Sequence, residues 1–545
     1  MLGLMQDQPL MISSIITFAA RHHATSEVVS KTVEGDIHRT TYRDIEQRSR
    51  RLVRALQRLG VKADDRVATL AWNGFRHLEL YYAVSGMAAI CHTINPRLSP
   101  DDIAYIANDA SDVVIFADTS FAPLIAAVAP NVRKTVRAVV FMTDRAHMPA
   151  VALPEGIDLL CYEELMAAAD ENYDWPLFDE RTAASLCYTS GTTGRPKGVL
   201  YSHRSTLLHA YAINLPDVFG LRATDRMLPV VPMFHVNAWG TPYGAPMTGA
   251  SMIMPGRHLD GASLTALMND ERVTTSAGVP TVWLGLLNYL RSSGKRLETV
   301  KRLVVGGSAC PRMLMEAFGN EYGVRIDHAW GMTELSPLGT YNMPKSANAG
   351  LTGEPAIRLR EKQGRAVFGL DMRIVDDAGT VLPWDGVASG HLQVRGAWVC
   401  SSYFGGTAGD ALEPGGWFAT GDVASIDPDG YMEITDRSKD VIKSGGEWIS
   451  SIQLENIAMS HPDIAEAAII AARHEKWDER PLLIVVPREG KEIDKADVLK
   501  FFDGKVAKWW LPDDVLVVES LPHTATGKVQ KMMLRNQFRD HLVAK

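Results

Sequence analysis

The chain has 545 residues, of which 46% are hydrophobic and 22% are charged, an ordinary globular composition with enough length for several cores. Its 56 basic and 64 acidic side chains give a net charge of -8, which favours neither nucleic acid nor a polybasic membrane anchor. The five cysteines are scattered, so they predict a reducing compartment and no zinc site. No apolar run reaches the roughly 18 residues of a membrane span. We therefore expect a soluble, cytoplasmic protein that acts on small molecules.

The predicted elements alternate between helix and strand from the N-terminus onward. Apolar residues at helical spacing predict an amphipathic helix over 41–60, which Gly60 would end. Short apolar runs predict strands at 66–72, 112–118, 137–142 and 302–307. This alternation predicts an α/β architecture with largely parallel sheets.

The pattern of apolar and turn residues changes twice in the second half of the sequence. From about residue 351, period-two segments separated by turn residues predict a smaller β-rich subdomain. A third region begins near residue 440, where the helix signals LENIAMSHP and IDKADVLKFF flank the apolar run AEAAIIAA and the strand-like PLLIVVP. These signals predict a compact α+β unit of about 100 residues.

A loop rich in glycine and hydroxyl side chains follows the strand-like segment at 184–188, where residues 188–198 read YTSGTTGRPKG. Glycines let backbone N–H groups approach phosphate oxygens, hydroxyls add donors, and a lysine supplies positive charge. The spacing is not that of a Walker A loop, which argues against a phosphotransferase. Composition alone leaves a flexible surface turn as the alternative. The candidate phosphate-binding residues are Thr189, Ser190, Gly191, Thr192, Thr193, Gly194 and Lys197.

With four further motifs, the chain resembles the adenylate-forming superfamily, which includes acyl-CoA synthetases, luciferases and peptide-synthetase adenylation domains. The loop is complete for the family signature SGTTGxPKG, and AWGMTE, GWFATGD, DRSKDVIKSGGEWIS and TATGKVQK follow in order at 329–334, 416–422, 436–450 and 524–531. The resemblance spans essentially the whole chain. It implies an N-terminal domain of two α/β sheet subdomains and a β-rich subdomain over 1–438, and a small mobile α+β domain over 439–545.

The resemblance also implies a reaction in two steps. A carboxylate attacks the α-phosphate of ATP to give acyl-AMP and pyrophosphate, and the thiol of coenzyme A then attacks the acyl carbon. Because the first step joins two anions, positive charge must converge on the reacting oxygens. By motif position, Lys528 matches the catalytic lysine, while Thr189 and Glu334 would hold Mg²⁺.

The other nucleotide contacts follow from the same motifs. Asp422 would accept hydrogen bonds from the ribose hydroxyls, with Arg437 as a second contact. Adenine would lie between the ends of two strands. Thr333, a further candidate nucleotide contact, directly precedes Glu334, whose carboxylate would hold the metal. The residues implied around the adenine are Gly307, Ser308, His328 and Ala329.

The second half-reaction implies a movement of the C-terminal domain. Lys439 matches the position about which this domain rotates in the family. One face would deliver Lys528 for adenylation, and another face would line the channel for coenzyme A, where glycines suit a pantetheine chain passing close to backbone. The residues of this second face are Lys443, Gly445, Gly446 and Trp448.

The segment FHVNAWG at 234–240 falls in the region of the carboxylate pocket. Trp239 matches the tryptophan that gates the acyl tunnel in bacterial long-chain fatty-acyl-CoA synthetases, with simple core packing as the alternative. The wording of the motifs is similar to medium- and long-chain fatty-acyl enzymes and to methylmercaptopropionate-CoA ligases. Small glycines would leave room for the acyl chain. The candidate acyl-pocket residues are His235, Val236, Trp239, Gly306, Trp330 and Gly331.

Several alternatives stay open at this point. A medium-chain or longer aliphatic acid is the first substrate to consider, methylmercaptopropionate or another short acid the second, and an aryl acid the third. The enzyme could load a carrier protein instead of coenzyme A. A catalytically silent binding protein on the same fold would have lost Lys528 or Glu334, and both are present. The fatty-acyl branch is often dimeric through its N-terminal domain, so a homodimer is one expectation.

Overall fold

A computed structural model describes residues 1, 3–189, 195–407, 409–444, 447–523 and 529–543, without the side chains of 447 and 448. The architecture is mixed α/β, with a large N-terminal domain and a small C-terminal one, as predicted. None of the helices in the described ranges has the length and apolar character of a membrane span.

One large sheet has seven strands, and its strands are parallel except for the last pair. Its helices cover both faces, as a parallel sheet requires. In spatial order the strands are Asp158–Cys161, Ala138–Phe141, Asp112–Ala117, Arg66–Leu70, Ile90–Thr93, Ala183–Tyr188 and Gly198–Ser202. The helices of this part are Phe75–Gly86, Pro100–Asp109, Ala122–Val132 and Tyr162–Ala168, with 3₁₀ turns at Thr119–Phe121 and Arg145–His147.

A second large sheet has nine strands, of which the inner ones are parallel. In spatial order they are Arg365–Ala366, Leu338–Tyr341, Arg325–Gly331, Arg302–Val305, Thr275–Gly278, Arg226–Pro229, Ser251–Met254, Glu27–Lys31 and Ile37–Thr41. The helices of this part are Ile12–His22, Tyr42–Arg58, His203–Ile213, Thr241–Thr248, Gly261–Asp270, Pro280–Ser293 and Arg312–Tyr322, with a 3₁₀ turn at Thr333–Leu335.

These two sheets confirm the predicted alternation of strand and helix. The helix predicted over 41–60 is Tyr42–Arg58, and a capping box between Thr41 and Asp44 fixes its start. The four predicted strands are present at 66–70, 112–117, 138–141 and 302–305. The apolar runs identified these strands because both faces of a parallel sheet are buried.

The β-rich subdomain begins later than predicted. Residues 351 onward first form the helix Gly353–Glu361, which has no buried residue and is rich in good helix formers. The period-two pattern belongs to the strands that follow it. These strands are Leu370–Val375, Ser389–Gly396, Trp417–Ile426, Leu412–Glu413 and Met432–Arg437.

The C-terminal unit is α+β, as predicted, with apolar clusters on both faces of its sheet. The apolar run AEAAIIAA lies in the strand Ile464–His474, which pairs along its length with Asp478–Pro487. The other strands are Ile442–Ser444, Glu447–Ile449 and Asp514–Val517. The helices are Ser451–Met459, Lys495–Phe501 and Lys531–Phe538, with a 3₁₀ turn at Lys508–Trp510. The predicted boundary between residues 438 and 439 stays a prediction.

Candidate active site

A cavity of about 710 Å³ lies where the two large sheets, the β-rich subdomain and the C-terminal helix Lys531–Phe538 meet. A volume of this size is typical of sites for small molecules. The cavity brings together most of the predicted residues that the structure describes. Those that line it are Thr189, Lys197, His235, Val236, Trp239, Gly306, Gly307, Ala329, Trp330, Gly331, Thr333, Glu334, Arg437 and Lys439.

Other predicted residues lie elsewhere or cannot be placed. Among the described residues, Ser308, His328, Asp422 and Lys443 are not part of the cavity wall. The phosphate-loop residues Ser190, Gly191, Thr192, Thr193 and Gly194, together with Gly445, Gly446 and Lys528, lie outside the described residues, and so does the side chain of Trp448.

The phosphate loop follows the strand Ala183–Tyr188 and leads into the antiparallel edge strand Gly198–Ser202. Its two ends are joined by hydrogen bonds between the first and last described residues. The N–H of Thr189 donates to the carbonyl of Lys197 at 2.9 Å, and the N–H of Lys197 donates to Thr189 Oγ1 at 3.2 Å. Thr189 and Lys197 are therefore held side by side at the cavity wall.

Glu334 lies in the 3₁₀ turn Thr333–Leu335 and is 7% exposed. The hydroxyl of Tyr403 donates to its Oε1 at 3.0 Å. Burial raises the pKa of Glu334, while the Tyr403 hydroxyl and the charge of Arg437 oppose that rise. The turn itself is fixed because the hydroxyl of Tyr201 donates to the carbonyl of Thr333 at 2.6 Å.

The oxygen atoms at this part of the cavity wall are suitable ligands for Mg²⁺. Thr189 offers a hydroxyl and Glu334 a carboxylate, and both line the same cavity. Mg²⁺ prefers oxygen ligands and usually keeps several waters alongside substrate phosphates, so two protein ligands are sufficient. Within the described ranges, no group of three or more His, Cys, Asp or Glu side chains is arranged to hold a metal ion.

Asp422 is 2% exposed and is bound by two side chains that reach the cavity. The indole N–H of Trp330 donates to its Oδ2 at 2.9 Å, and Arg437 Nε lies 2.8 Å from its Oδ1. Asp422 thus lies behind Trp330 and Arg437 rather than on the wall. Of Asp422 and Arg437, it is therefore Arg437 that lines the cavity and faces a ligand.

His328 was predicted beside the adenine, and its ring is buried behind the wall. The ring is 1% exposed, and its Nδ1 lies 3.0 Å from the carbonyl of Glu361. Burial lowers the pKa of His328 to about 4, so the ring is neutral at ordinary pH. Of this group, Gly307 and Ala329 line the cavity, whereas Ser308 is an exposed residue beside it.

The predicted hinge residue Lys439 lines the cavity next to the C-terminal helix. Its carbonyl accepts a hydrogen bond from Arg535 of that helix, and Arg535 Nη1 lies 3.5 Å from Asp440 Oδ1. Burial, together with the charges of Arg437 and Arg535, lowers the pKa of Lys439. The hinge position is therefore in contact with both parts of the chain.

The acyl-pocket segment contains an unusual backbone that the sequence reading missed. Residues Val236 to Gly240 all have positive φ, between 45° and 78°, and so form a left-handed turn. Such a conformation costs roughly 1–2 kcal/mol for each residue other than glycine. Strained backbone conformations of this kind are found mostly at functional sites. Asparagine and glycine tolerate positive φ best, so Asn237 and Gly240 are the residues that could have indicated this turn in the sequence.

Buried hydrogen bonds on Asn237 hold this turn in place. The amide of Asn237 donates to Ser185 Oγ at 3.0 Å, and the hydroxyl of Tyr81 donates to Asn237 Oδ1 at 3.1 Å. The hydroxyl of Thr241 donates to the carbonyl of Ala238 at 2.8 Å. The turn therefore directs Trp239 into the cavity from a fixed base.

The two glycines predicted to leave room for an acyl chain line the cavity and lie close to other protein atoms. A Cβ at Gly306 would lie 2.8 Å from Cη2 of Trp239, so the indole lies directly over this glycine. A Cβ at Gly331 would lie 2.1 Å from the carbonyl oxygen of Pro337. Larger residues at these positions would therefore displace Trp239 or Pro337, and the space for an acyl chain stays a prediction.

Several residues of the cavity wall were not predicted. Tyr403, in the segment SSYFGG, lies outside the family motifs, and so do most of the wall residues of the C-terminal helix. The missed wall residues are Arg195, Met332, Pro337, Leu338, Tyr403, Asp440, Val529, Gln530, Lys531, Met532, Met533 and Asn536.

Two family models match the chain. The family described as "AMP-binding enzyme" matches residues 17–404, and "AMP-binding enzyme C-terminal domain" matches residues 453–528. The first match covers well over half of the chain. The chain therefore belongs to the AMP-binding enzyme family.

Two relatives cover nearly all of the chain. A 3-methylmercaptopropionyl-CoA ligase from Ruegeria lacuscaerulensis is 53% identical, and the alignment covers 99% of this chain and 100% of the relative. A medium-chain-fatty-acid–CoA ligase from Ectopseudomonas oleovorans is 50% identical, and the alignment covers 100% of this chain and 98% of the relative. Both names describe CoA ligases.

A solved structure has the same fold over the full length. The anthranilate CoA ligase AuaEII in complex with anthranoyl-AMP superposes with a TM-score of 0.86 at 25% sequence identity. The superposition covers 99% of this chain and 100% of the other. The fold of the large and the small domain is thus shared with that ligase.

Proposed function

We propose that this chain converts a medium- or long-chain fatty acid to its coenzyme A thioester, with ATP cleaved to AMP and pyrophosphate. The chain is an AMP-forming acid–thiol ligase, and the proposal concerns its acid and its site residues. The observation that carries it is one cavity whose wall contains Thr189, Lys197 and Glu334 together with Trp239. Candidate phosphate-binding residues and an aromatic side chain in one cavity suit ATP and an aliphatic acid together.

In the first step a carboxylate oxygen attacks the α-phosphorus of ATP, and the bond to the β-phosphate breaks so that pyrophosphate leaves. Lys197 and Arg437 line the cavity and place positive charge where these anions meet. Thr189 and Glu334 would hold Mg²⁺, which supplies further charge neutralisation on the triphosphate. Arg437, fixed on Asp422 at 2.8 Å, would contact the ribose or α-phosphate side of the nucleotide.

Lys528 would bridge the attacking carboxylate and the α-phosphate. This assignment rests on its motif, since Lys528 lies outside the described residues. Its nearest described neighbours support it, because Val529 and Gln530 line the cavity. A C-terminal domain in this orientation suits the adenylation step.

In the second step the sulfur of coenzyme A attacks the acyl carbon, the carbon–oxygen bond to phosphate breaks, and AMP leaves. Lys443 is the described member of the predicted coenzyme A face, and it lies off the cavity wall. Its N–H donates to Glu479 Oε2 at 3.0 Å within the C-terminal sheet. A rotation about Lys439 would be needed to bring this face to the cavity, as the family resemblance implies.

Apolar residues of the cavity wall favour an aliphatic chain. Val236, Trp239, Pro337 and Leu338 line the cavity, and all four side chains are uncharged. Apolar walls bind each buried methylene of a fatty acid with ~0.8 kcal/mol, about a fourfold gain in affinity. The indole of Trp239 over Gly306 sets how far the chain extends.

We expect Trp239→Ala to shift the preference towards longer acids. Removing the indole extends the pocket, so kcat/KM for hexadecanoate relative to hexanoate should rise at least about tenfold, as expected for a few extra buried methylenes. The ratio is measured by coenzyme A consumption over a series of acids. Trp384→Ala is the matched control, because Trp384 is 42% exposed and lies outside the cavity wall. An unchanged ratio would mean that Trp239 is only a packing residue.

A 3-methylmercaptopropionate ligase is the second candidate function. The relative named for this acid is 53% identical over the whole chain. Trp239 also suits it, because a thioether sulfur makes favourable contacts with an aromatic ring. The two candidates share the same reaction and differ in the acid.

A pyrophosphate-release screen separates these candidates. Acids from two to sixteen carbons are tested together with 3-methylmercaptopropionate and aromatic acids, each with coenzyme A, with a carrier protein, and with neither. Highest kcat/KM for acids of about eight carbons or more supports the proposal. A maximum at 3-methylmercaptopropionate supports the second candidate, and thioester formation on the carrier protein alone would exclude both.

We also propose a cytoplasmic location and a homodimeric state. The scattered cysteines support a reducing compartment, and all five are free. The dimer rests on the resemblance to the fatty-acyl branch. Light scattering of the purified full chain measures its mass directly, and a monomer mass at micromolar concentration would exclude the dimer.

A further inference from the structure

Two parts of the proposed site come from distant places in the sequence and must be held in register. Lys197 and Gly198 end the phosphate loop, whereas Glu334 lies in a 3₁₀ turn more than a hundred residues later. Binding a metal–triphosphate needs both groups at defined distances, because Mg²⁺ demands near-octahedral geometry. A third segment, residues 400–404, contacts both of them.

The backbone of the 400–404 segment bridges the two motifs. The N–H of Cys400 donates to the carbonyl of Glu334 at 2.8 Å. The N–H of Phe404 donates to the carbonyl of Gly198 at 2.8 Å. Gly198 allows this close approach, since a Cβ there would lie 2.9 Å from Cβ of Phe404. The five-residue segment is therefore fixed at one end to the carboxylate turn and at the other to the phosphate loop.

The side chain of Tyr403 makes the same bridge within the cavity. Its hydroxyl donates to Glu334 Oε1 at 3.0 Å, and the ammonium of Lys197 lies 4.6 Å from the centre of its ring. A cation at this distance over a ring face is attracted by the ring quadrupole. A hydrogen bond to a charged carboxylate is stronger than one between neutral groups. One residue thus contacts both an anion and a cation of the site.

We propose that Tyr403 is a positioning residue that holds Glu334 and Lys197 in the arrangement that binds the metal–triphosphate. The inference rests on the proposed function of this cavity. By occupying Oε1, the Tyr403 hydroxyl orients the carboxylate so that Oε2 faces the ligand. By facing Lys197, the ring keeps the ammonium beside the phosphate loop when no phosphate is bound.

Tyr403 also packs against a small apolar cluster that includes Cys187, Val199 and Tyr201. A purely structural role would rest on this packing alone. Tyr403→Phe keeps the ring and removes the hydroxyl, so it separates the two roles. Tyr403→Leu removes the ring face as well. Tyr211→Phe is the matched control, because Tyr211 is 53% exposed and lies outside the cavity wall.

The test measures equilibrium binding by calorimetry with the full chain. The probes are α,β-methylene-ATP with Mg²⁺, the same analogue with EDTA, and AMP. We expect Tyr403→Phe to weaken binding of the analogue with Mg²⁺ about tenfold, as for the loss of one hydrogen bond to a charged group. Binding of AMP and of the analogue in EDTA should stay within about twofold of the wild type. Tyr403→Leu should weaken binding of the analogue with Mg²⁺ further, by roughly threefold or more, because the contact with Lys197 is lost as well.

A double-mutant cycle adds an independent readout. In a Glu334→Gln background, Tyr403→Phe should cause little further loss of Mg²⁺-dependent binding, because the partner charge is already absent. Equal losses for all three probes, or additive losses in the cycle, would overturn the positioning role. Unchanged binding of Tyr403→Phe would overturn it too. Failure of the wild-type chain to bind the analogue would instead overturn the proposed function.

Discussion

Lys528→Ala is expected to slow formation of acyl-AMP by roughly 10²- to 10³-fold, the scale of losing one donor that stabilises developing charge. Thioester formation from supplied acyl-AMP should stay near the wild-type rate. The reason is that the lysine acts where carboxylate and α-phosphate meet, and that junction no longer exists once the adenylate has formed. Pyrophosphate exchange measures the first step, and coenzyme A consumption with synthetic acyl-AMP measures the second.

The control for this variant is Lys500→Ala. Lys500 is an exposed lysine of the same domain and lies outside the cavity wall. It should leave both steps unchanged. An equal loss in both half-reactions for Lys528→Ala would contradict the assigned role and point to damage to the C-terminal domain.

We expect Lys439→Pro to have the opposite pattern, with adenylation nearly unchanged and thioester formation reduced by about 10²-fold or more, since hinge residues must absorb a change in backbone dihedrals. Proline fixes φ near -65° and so restricts that change. In the part of the chain that the structure describes, the N–H of Lys439 makes no hydrogen bond, so proline removes none here. The present orientation should therefore survive the substitution.

In the present orientation, the C-terminal domain contacts the segment around the predicted hinge residue Lys439. The N–H of Ser451 donates to Asp436 Oδ2 at 2.7 Å, and Arg535 contacts both Lys439 and Asp440. Lys439→Ala is the control, because alanine removes the side chain and keeps backbone freedom. Adenylation and thioester formation falling together in Lys439→Pro, or unchanged overall turnover, would contradict the hinge.

Much of the fold could be predicted because its signals are local. Buried parallel strands give short apolar runs, and the helix Tyr42–Arg58 has apolar residues at helical spacing that form its buried face. The helix Gly353–Glu361 was missed because none of its residues is fully buried and it lacks the apolar stripe of a core-facing helix. Strand order and the junction of the domains depend on contacts between distant residues, which one sequence does not reveal.

The site was predictable only where a motif marked it. Thr189 and Lys197 of the phosphate loop, together with Glu334, Arg437 and Lys439, lie on motifs and line one cavity. The motifs did not reveal that Asp422 lies behind Trp330, because that depends on how two strands from different sheets face each other. Tyr403 lies outside the family motifs, and the left-handed turn at Asn237 lies in the segment FHVNAWG, which was predicted only as part of the carboxylate pocket. They act through contacts with other segments, and only the structure shows those contacts.

The central claim is that the acid is activated as an acyl adenylate in this cavity. Octanoate labelled with ¹⁸O in both carboxyl oxygens, incubated with the full chain, ATP, Mg²⁺ and coenzyme A, tests it directly by mass spectrometry of the products. We predict one ¹⁸O atom in AMP, because the carboxylate oxygen that attacks phosphorus stays with AMP when the thioester forms. Label in inorganic phosphate with ADP as the product, or octanoyl-CoA formed without label in AMP, would contradict the account.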